Sequence, residues 1–135
     1  MKRIIRFSDR ASLQLVHIKL RFSSIVNTRY RVGVDVASGD FENSYLFRVQ
    51  HYMAVDLERP RVELPESFDS ASFAEVDISR EAIPSGDLVI CMETLGLNEK
   101  FDHSESFTVV EKLIDATNEG GASFQHRAAH EQRAT

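Results

Sequence analysis

The sequence predicts a β-dominated α+β fold, an antiparallel, sandwich-like sheet with one C-terminal helix packed on it, and three observations lead there. Apolar residues recur at every second position through the first half of the chain. Ser, Asn, Asp and Gly bound those runs and supply turns. Only one late stretch, Ser106 to Asn118, carries apolar residues at helical spacing. The chain has 135 residues and 42% apolar content, enough for one core and too little for two ordinary domains. Residues 1–121 are therefore read as one globular domain and 122–135, with Phe124 as their main apolar residue, as a mobile tail.

The elements follow in order. Arg3 to Phe7 reads as an edge strand able to pair across a homodimer. Leu13 to Phe22 sets Val16, Ile18, Leu20 and Phe22 against His17, Lys19 and Arg21. Tyr30 to Val36 alternates in the same way, and the short Ser23 to Arg29 link suggests that the two runs form an antiparallel hairpin. Ser38-Gly39-Asp40 then makes a turn. Tyr45 to Leu57 fits a strand through seven consecutive odd positions and a helix through Leu46, Val49, Met53 and Leu57; the unbroken alternation favours the strand. Pro60 and Pro65 interrupt regular structure. Phe73 to Ile78 is a short strand, and Pro84-Ser85-Gly86-Asp87 turns into a buried strand, Leu88 to Leu95. In the helix, Phe107, Val110, Leu113 and Ile114 share one side, Asp102 or Ser104 caps the start, and Gly120 and Gly121 end it.

Charge is distributed unevenly. Residues 1–31 hold eight bases against Asp9 alone, and residues 32–119 hold six bases against nineteen acids, within a net charge of −5. The acidic middle is suited to capturing a basic protein such as a toxin or nuclease, with Glu42, Asp56, Glu58, Glu63, Glu66, Asp69, Glu75 and Asp77 as carboxylates and Phe68 and Phe73 as aromatic anchors. The basic start offers an alternative, nucleic-acid binding through Lys19, Arg21, Arg29 and Arg31. An acidic body with a pI near 5.5 opposes that. No run of about 18 apolar residues is present, so no membrane span is expected, and the lone Cys91 fits a cytoplasmic protein.

Motifs for chemistry are sparse. His126 and His130 have the i, i+4 spacing that binds Zn²⁺ on a helix, which leaves a small metal-dependent hydrolase as a further alternative, but the order differs from His-Glu-x-x-His. His103 lies among Glu99, Asp102 and Glu105, where capping explains it as well as proton transfer does. His17 and His51 read as structural, and Cys91, between Ile90 and Met92, as packed core. Asp56 with Glu58, and Glu75 with Asp77, lack the Gly-bearing loop of a calcium site. No Gly-rich phosphate loop, dinucleotide fingerprint or Gly-x-Ser-x-Gly elbow occurs. The expectation is a non-catalytic binding module that needs no cofactor and no metal.

One resemblance accords with this. Ile5-Arg6-Phe7-Ser8-Asp9 followed by Leu13-Gln14-Leu15, the strands through Val36, the Phe73–Ile78 and Leu88–Leu95 strands, and Asp102-His103-Ser104-Glu105-Ser106 leading into a helix resemble the order of elements in small bacterial toxin-immunity proteins. That resemblance implies an inhibitor that binds a cognate toxin, and it departs from the pattern at Tyr45 to Leu57, where a helix would be expected. A second similarity, through Leu13 to Phe22 and Arg29 to Val49, is to the bacterial export chaperone built on an antiparallel sheet.

Overall fold

A computed structural model describes residues 2–7, 28–95 and 103–127. They form one six-stranded sheet with a helix: β1 (Arg3–Phe7), β2 (Tyr30–Val36), a 3₁₀ turn (Ser44–Leu46), β3 (Val49–Asp56), β4 (Ser70–Glu75), β5 (Gly86–Leu95), α1 (His103–Ala116) and β6 (Thr117–Arg127). The spatial order is β1-β6-β5-β2-β3-β4, and every pairing is parallel. The expected antiparallel, sandwich-like sheet is therefore corrected to an open parallel one.

Connection length accounts for the difference. A parallel pair needs a crossover of about a dozen residues. Residues 37–48 provide that between β2 and β3, and residues 57–69 between β3 and β4. Burial agrees with the topology. Along β5, Leu88, Ile90 and Met92 enter one core and Val89 and Cys91 the other; along β3, Tyr52 and Ala54 divide in the same way from Val55. Strands covered on both faces belong to parallel sheets.

Strand positions matched expectation better than strand direction did. Tyr30–Val36 is β2, and the preferred strand within Tyr45 to Leu57 holds over Val49–Asp56, with the 3₁₀ turn ahead of it. β4 starts and ends three residues earlier than expected. The Leu13 to Phe22 strand lies outside the described residues. Ala122 to Arg127, read as tail, belong to β6, which inserts between β1 and β5. Three buried residues, Ala122, Ser123 and Phe124, explain why so polar a segment is held.

One core lies under α1, where Val109, Leu113 and Ala116 pack against Val34, Val36, Val55, Ile78 and Ile83. The side chain of Thr117 donates to the Leu113 carbonyl at 2.8 Å, so the helix passes directly into β6 without using Gly120 and Gly121 as a stop. Lys112 Nζ donates to the carbonyls of Ile78 (3.0 Å) and Glu81 (3.1 Å), fixing the helix to the link between β4 and β5. The other core, built around Tyr52, is covered by irregular chain and a 3₁₀ turn, with Leu46, Phe47, Phe41, Leu64 and Phe68 over it. Gly33 is part of that arrangement, because a Cβ there would lie 2.6 Å from the Phe47 ring.

Asp87 joins three strands near the start of β5. It accepts hydrogen bonds from the Val32 amide at 3.0 Å and from Asn118 Nδ2 at 2.9 Å. Gly121 passes so close to this point that an added Cβ would collide with the Asp87 carbonyl, a backbone atom with little room to move. Gly121→Ala is accordingly expected to cost about 1–3 kcal/mol of stability, measured as a lower urea midpoint at unchanged m-value.

Candidate active-site crevice

In an open parallel sheet, ligands bind beyond the carboxyl ends of the strands, at the point where strand order reverses. Here that point is β2, which has β3 on one side and β5 on the other. The loop leaving β2, from Ala37 to Asn43, therefore occupies the position where a ligand is expected.

Its backbone is unusual. Ala37 (φ 59°), Gly39 (φ 55°) and Phe41 (φ 66°) all adopt left-handed conformations, which cost a side-chain-bearing residue about 1–2 kcal/mol each. Two anchors compensate. Asp56, the last residue of β3, accepts from the Gly39 amide at 2.8 Å through Oδ2 and from the Leu57 amide at 2.7 Å through Oδ1. Beneath the loop, Phe41 is buried edge-on against Tyr52 and Phe73, with centroids 6.3 and 6.4 Å apart. Ser38 is wholly buried, and its hydroxyl has no hydrogen-bond partner among the described residues. Between this loop and the chain after β3 lies a cavity of about 340 Å³, bordered by Gly39, Asp40, Asp56, Leu57, Glu58 and Arg59. Leu57 is 53% exposed beside it.

Tyr52 organises the layer below. Phe68 stacks on its ring at 4.9 Å, Phe47 meets it edge-on at 5.3 Å, and its hydroxyl donates to Asp35 Oδ2 at 2.5 Å. The alternation of β2 places Asp35 on a solvent face; the structure buries it, 1% exposed. Burial pushes the Asp35 carboxyl up to about 7, opposed by the Tyr52 hydrogen bond and reinforced by Glu42 and Asp56. Burial and the Asp35 carboxylate likewise push the Tyr52 phenol far above its ordinary range.

The expected partner-binding set does not gather into one surface. Glu42, Glu58, Glu63, Glu66, Asp69 and Glu75 are exposed, but Asp69 precedes β4 at one rim of the sheet and Glu75 ends it at the other. Phe68 and Phe73 are half-buried in the aromatic layer. Asp56 holds the loop. Asp77 is engaged by Ser79, whose hydroxyl (2.6 Å) and amide (3.1 Å) hold its carboxyl below the usual range. Of the expected nucleic-acid set, Arg29 and Arg31 are exposed around the start of β2, and Lys19 and Arg21 lie outside the described residues. His126 sits in a strand and His130 outside the described residues, so the helical spacing expected of the pair does not apply. No group of three His, Cys, Asp or Glu able to hold a metal occurs among the described residues. His51 is flanked by the hydroxyls of Ser70 (2.5 Å) and Ser72 (3.1 Å) on β4. Among the described residues no helix is long and apolar enough to cross a membrane.

Sequence reasoning missed the loop because it retains one glycine of a Gly-rich signal and was read as an ordinary turn. The available signal was the spacing of Gly39 and Asp56, seventeen positions apart at the ends of successive apolar strands, close to the separation of about 20 residues between a dinucleotide-binding loop and its ribose-binding acid.

No protein-family model and no curated protein matches the sequence. Solved structures do match its fold. The N-methyltransferase NodS from Bradyrhizobium japonicum WM9, in complex with S-adenosyl-L-homocysteine, aligns with a TM-score of 0.63 at 16% identity, covering 82% of this chain and 60% of that one. A DhpI–SAM–HEP complex aligns at 0.61 and 17%, covering 87% and 57%. An O-methyltransferase family protein from Burkholderia thailandensis aligns at 0.60 and 16%, covering 82% and 36%. The chain thus spans less than two thirds of each of these proteins, and at such identities the likeness is one of fold. It overturns the resemblance to toxin-immunity proteins, and with it the expectation of a non-catalytic acidic inhibitor: the neighbours are enzymes with a Rossmann-like parallel sheet.

The Asp35 carboxyl gives this region a pH dependence. A raised native pKa means that the folded chain binds the extra proton between about pH 4 and pH 7, so this contribution to stability is full below pH 4 and is lost as pH rises to about 7. Asp35→Asn, which keeps an acceptor for Tyr52, is expected to flatten that decline by an amount on the order of a few kcal/mol, measured as urea midpoints of both proteins from pH 4 to pH 8.

Proposed function

We propose that the crevice beyond β2 and β3 binds an S-adenosyl cofactor and that the chain carries the cofactor-binding part of a methyltransferase. The observation that carries this reading is an acidic crevice to which the β2–β3 crossover contributes no helix N-terminus. Asp40, Asp56 and Glu58 border the cavity, and the β2–β3 crossover contains only a three-residue 3₁₀ turn. A dinucleotide pyrophosphate needs a helix dipole and exposed amides, and the three carboxylates, offset only by Arg59 among the described lining residues, would repel it. A nucleoside attached to a cationic sulfonium and an amine suits the same charge. The fold neighbours bound to SAM or S-adenosyl-L-homocysteine support this choice.

The residues present fit such a group. Asp56 stands where a carboxylate accepts from two ribose hydroxyls, and Leu57 presents apolar surface beside it for a base. Gly39 keeps the loop free of a side chain there; a Cβ would lie 2.9 Å from the Glu42 carboxylate. Phe41 is turned down into the core, so its ring does not fill the crevice. The buried Ser38 hydroxyl, without a hydrogen-bond partner among the described residues, is a further polar group of the loop. When bound, the cofactor supplies an electrophilic methyl group on sulfur. The protein's part is to orient it on a rigid strand end and to limit water around it.

Calorimetry with the full chain and S-adenosyl-L-homocysteine tests the reading. Saturable binding is expected, weakened roughly tenfold or more by Asp56→Asn, the scale of losing a charged hydrogen-bond acceptor. No saturable binding by the folded wild-type protein would refute it.

A further inference from the structure

We infer that the opposite, N-terminal rim of the sheet carries a second small-molecule site, for a phosphomonoester borne on a planar apolar body. A cavity of about 590 Å³ opens there between the start of β2, the 3₁₀ turn, the start of β3 and the chain leading into β4. Arg29 and Arg48 line it, with Ser44, Tyr45, Ser67 and Phe68. β2 and β3 are eight residues long or less and rise about 3.3 Å per residue, so this rim is about 20 Å from the crevice beyond Asp56. The inference does not depend on the proposed methyltransferase reading.

The charge arrangement points to an anion. Parallel register pairs Tyr30 with Val49, which sets Arg29 beside Arg48, and the Tyr30 amide donating to the Arg48 carbonyl at 3.0 Å fixes that alignment. Like charges on adjacent strands destabilise a sheet. Among the described residues, no acid lines the cavity and neither guanidinium forms an ion pair with a carboxylate. A dianion shared between the two would reverse the sign of that interaction, because guanidinium groups bind phosphate oxygens bidentately. The Ser44 and Ser67 hydroxyls add donors suited to a tetrahedral oxyanion.

The rest of the lining indicates what bears the phosphate. Phe68 lies parallel to Tyr52, at 6° between planes, so its ring is held in place and remains half-exposed. Tyr45 is 52% exposed at the same rim. The volume is in the range of small-molecule pockets and exceeds what a bare phosphate occupies. One stacked aromatic ring and a second, exposed one beside two cations suit an aryl or nucleoside monophosphate better than inorganic phosphate.

Phenyl phosphate and inorganic phosphate, titrated into the full chain at constant ionic strength and followed by amide chemical shifts, test the assignment. Phenyl phosphate is expected to saturate a site at or below about 1 mM and to bind more tightly than inorganic phosphate. Arg29→Ala and Arg48→Ala are each expected to weaken it roughly tenfold or more, whereas Arg31→Ala, an exposed base on the same strand that does not line the cavity, leaves it unchanged. Excess S-adenosyl-L-homocysteine should not displace it. Absence of saturation by phenyl phosphate, indifference to Arg48→Ala, or an equal loss in Arg31→Ala would overturn the proposal.

Discussion

The hydrogen bond from Tyr52 to Asp35 is the constraint around which this half of the molecule is arranged. It links the two strands that flank the crevice and lies at the strand where sheet order reverses. A buried carboxyl without a donor would cost several kcal/mol, so Tyr52 is fixed in place by its hydroxyl as well as by its ring. The ring in turn supports Phe41, Phe47 and Phe68. Edge-on and stacked pairs of this kind contribute about 0.5–1.5 kcal/mol each beyond their burial, comparable to the cost of holding Ala37 and Phe41 at positive φ. The strained loop is thus supported from below by aromatic packing and from the side by Asp56.

That arrangement also explains a departure from the usual parallel-sheet plan. Among the described residues, one face has α1 over it, and on the other the crossovers from β2 and β3 are short and non-helical. Aromatic side chains from those crossovers, Phe41, Phe47 and Phe68, pack on the Tyr52 core there. The β2 loop therefore lacks a positive dipole end, and its amide at Gly39 is satisfied by a carboxylate instead.

Much of the strand content was legible in the sequence, because local alternation and turn residues depend on near neighbours. Tyr30–Val36 was placed within its limits, and Val49–Asp56 and Gly86–Leu95 within a few residues. Direction was not legible in the same way. Alternation predicts a strand with one wet face, whereas β3 and β5 are covered on both, and Asp35, which alternation assigns to solvent, is buried because Tyr52 on the adjacent strand meets it. Such a contact joins residues seventeen positions apart. The acidic residues are legible in the sequence as a population, but not their local partners: Asp56 holds the loop and Asp77 bonds to Ser79. The glycine signal of a ligand loop was reduced to Gly39, and Ala37 and Phe41 hide it by adopting glycine-like conformations with side chains attached.

The asymmetry of charge along the chain acquires a spatial meaning in this fold. A parallel sheet directs every strand start to one rim and every strand end to the other. Arg29 and Arg48, which precede strands, therefore lie at the first rim, where Asp69 and Asp87 also stand, and Asp40, Asp56 and Glu58 lie at the second beside Arg59. An antiparallel sheet with the same sequence would have brought the arginine pair and the three carboxylates closer together. Parallel topology keeps them about 20 Å apart, beyond the roughly 8 Å over which physiological salt screens charge, so each rim acts on its surroundings independently. A single chain with a net charge of −5 can in this way border one cavity with three carboxylates and another with two arginines.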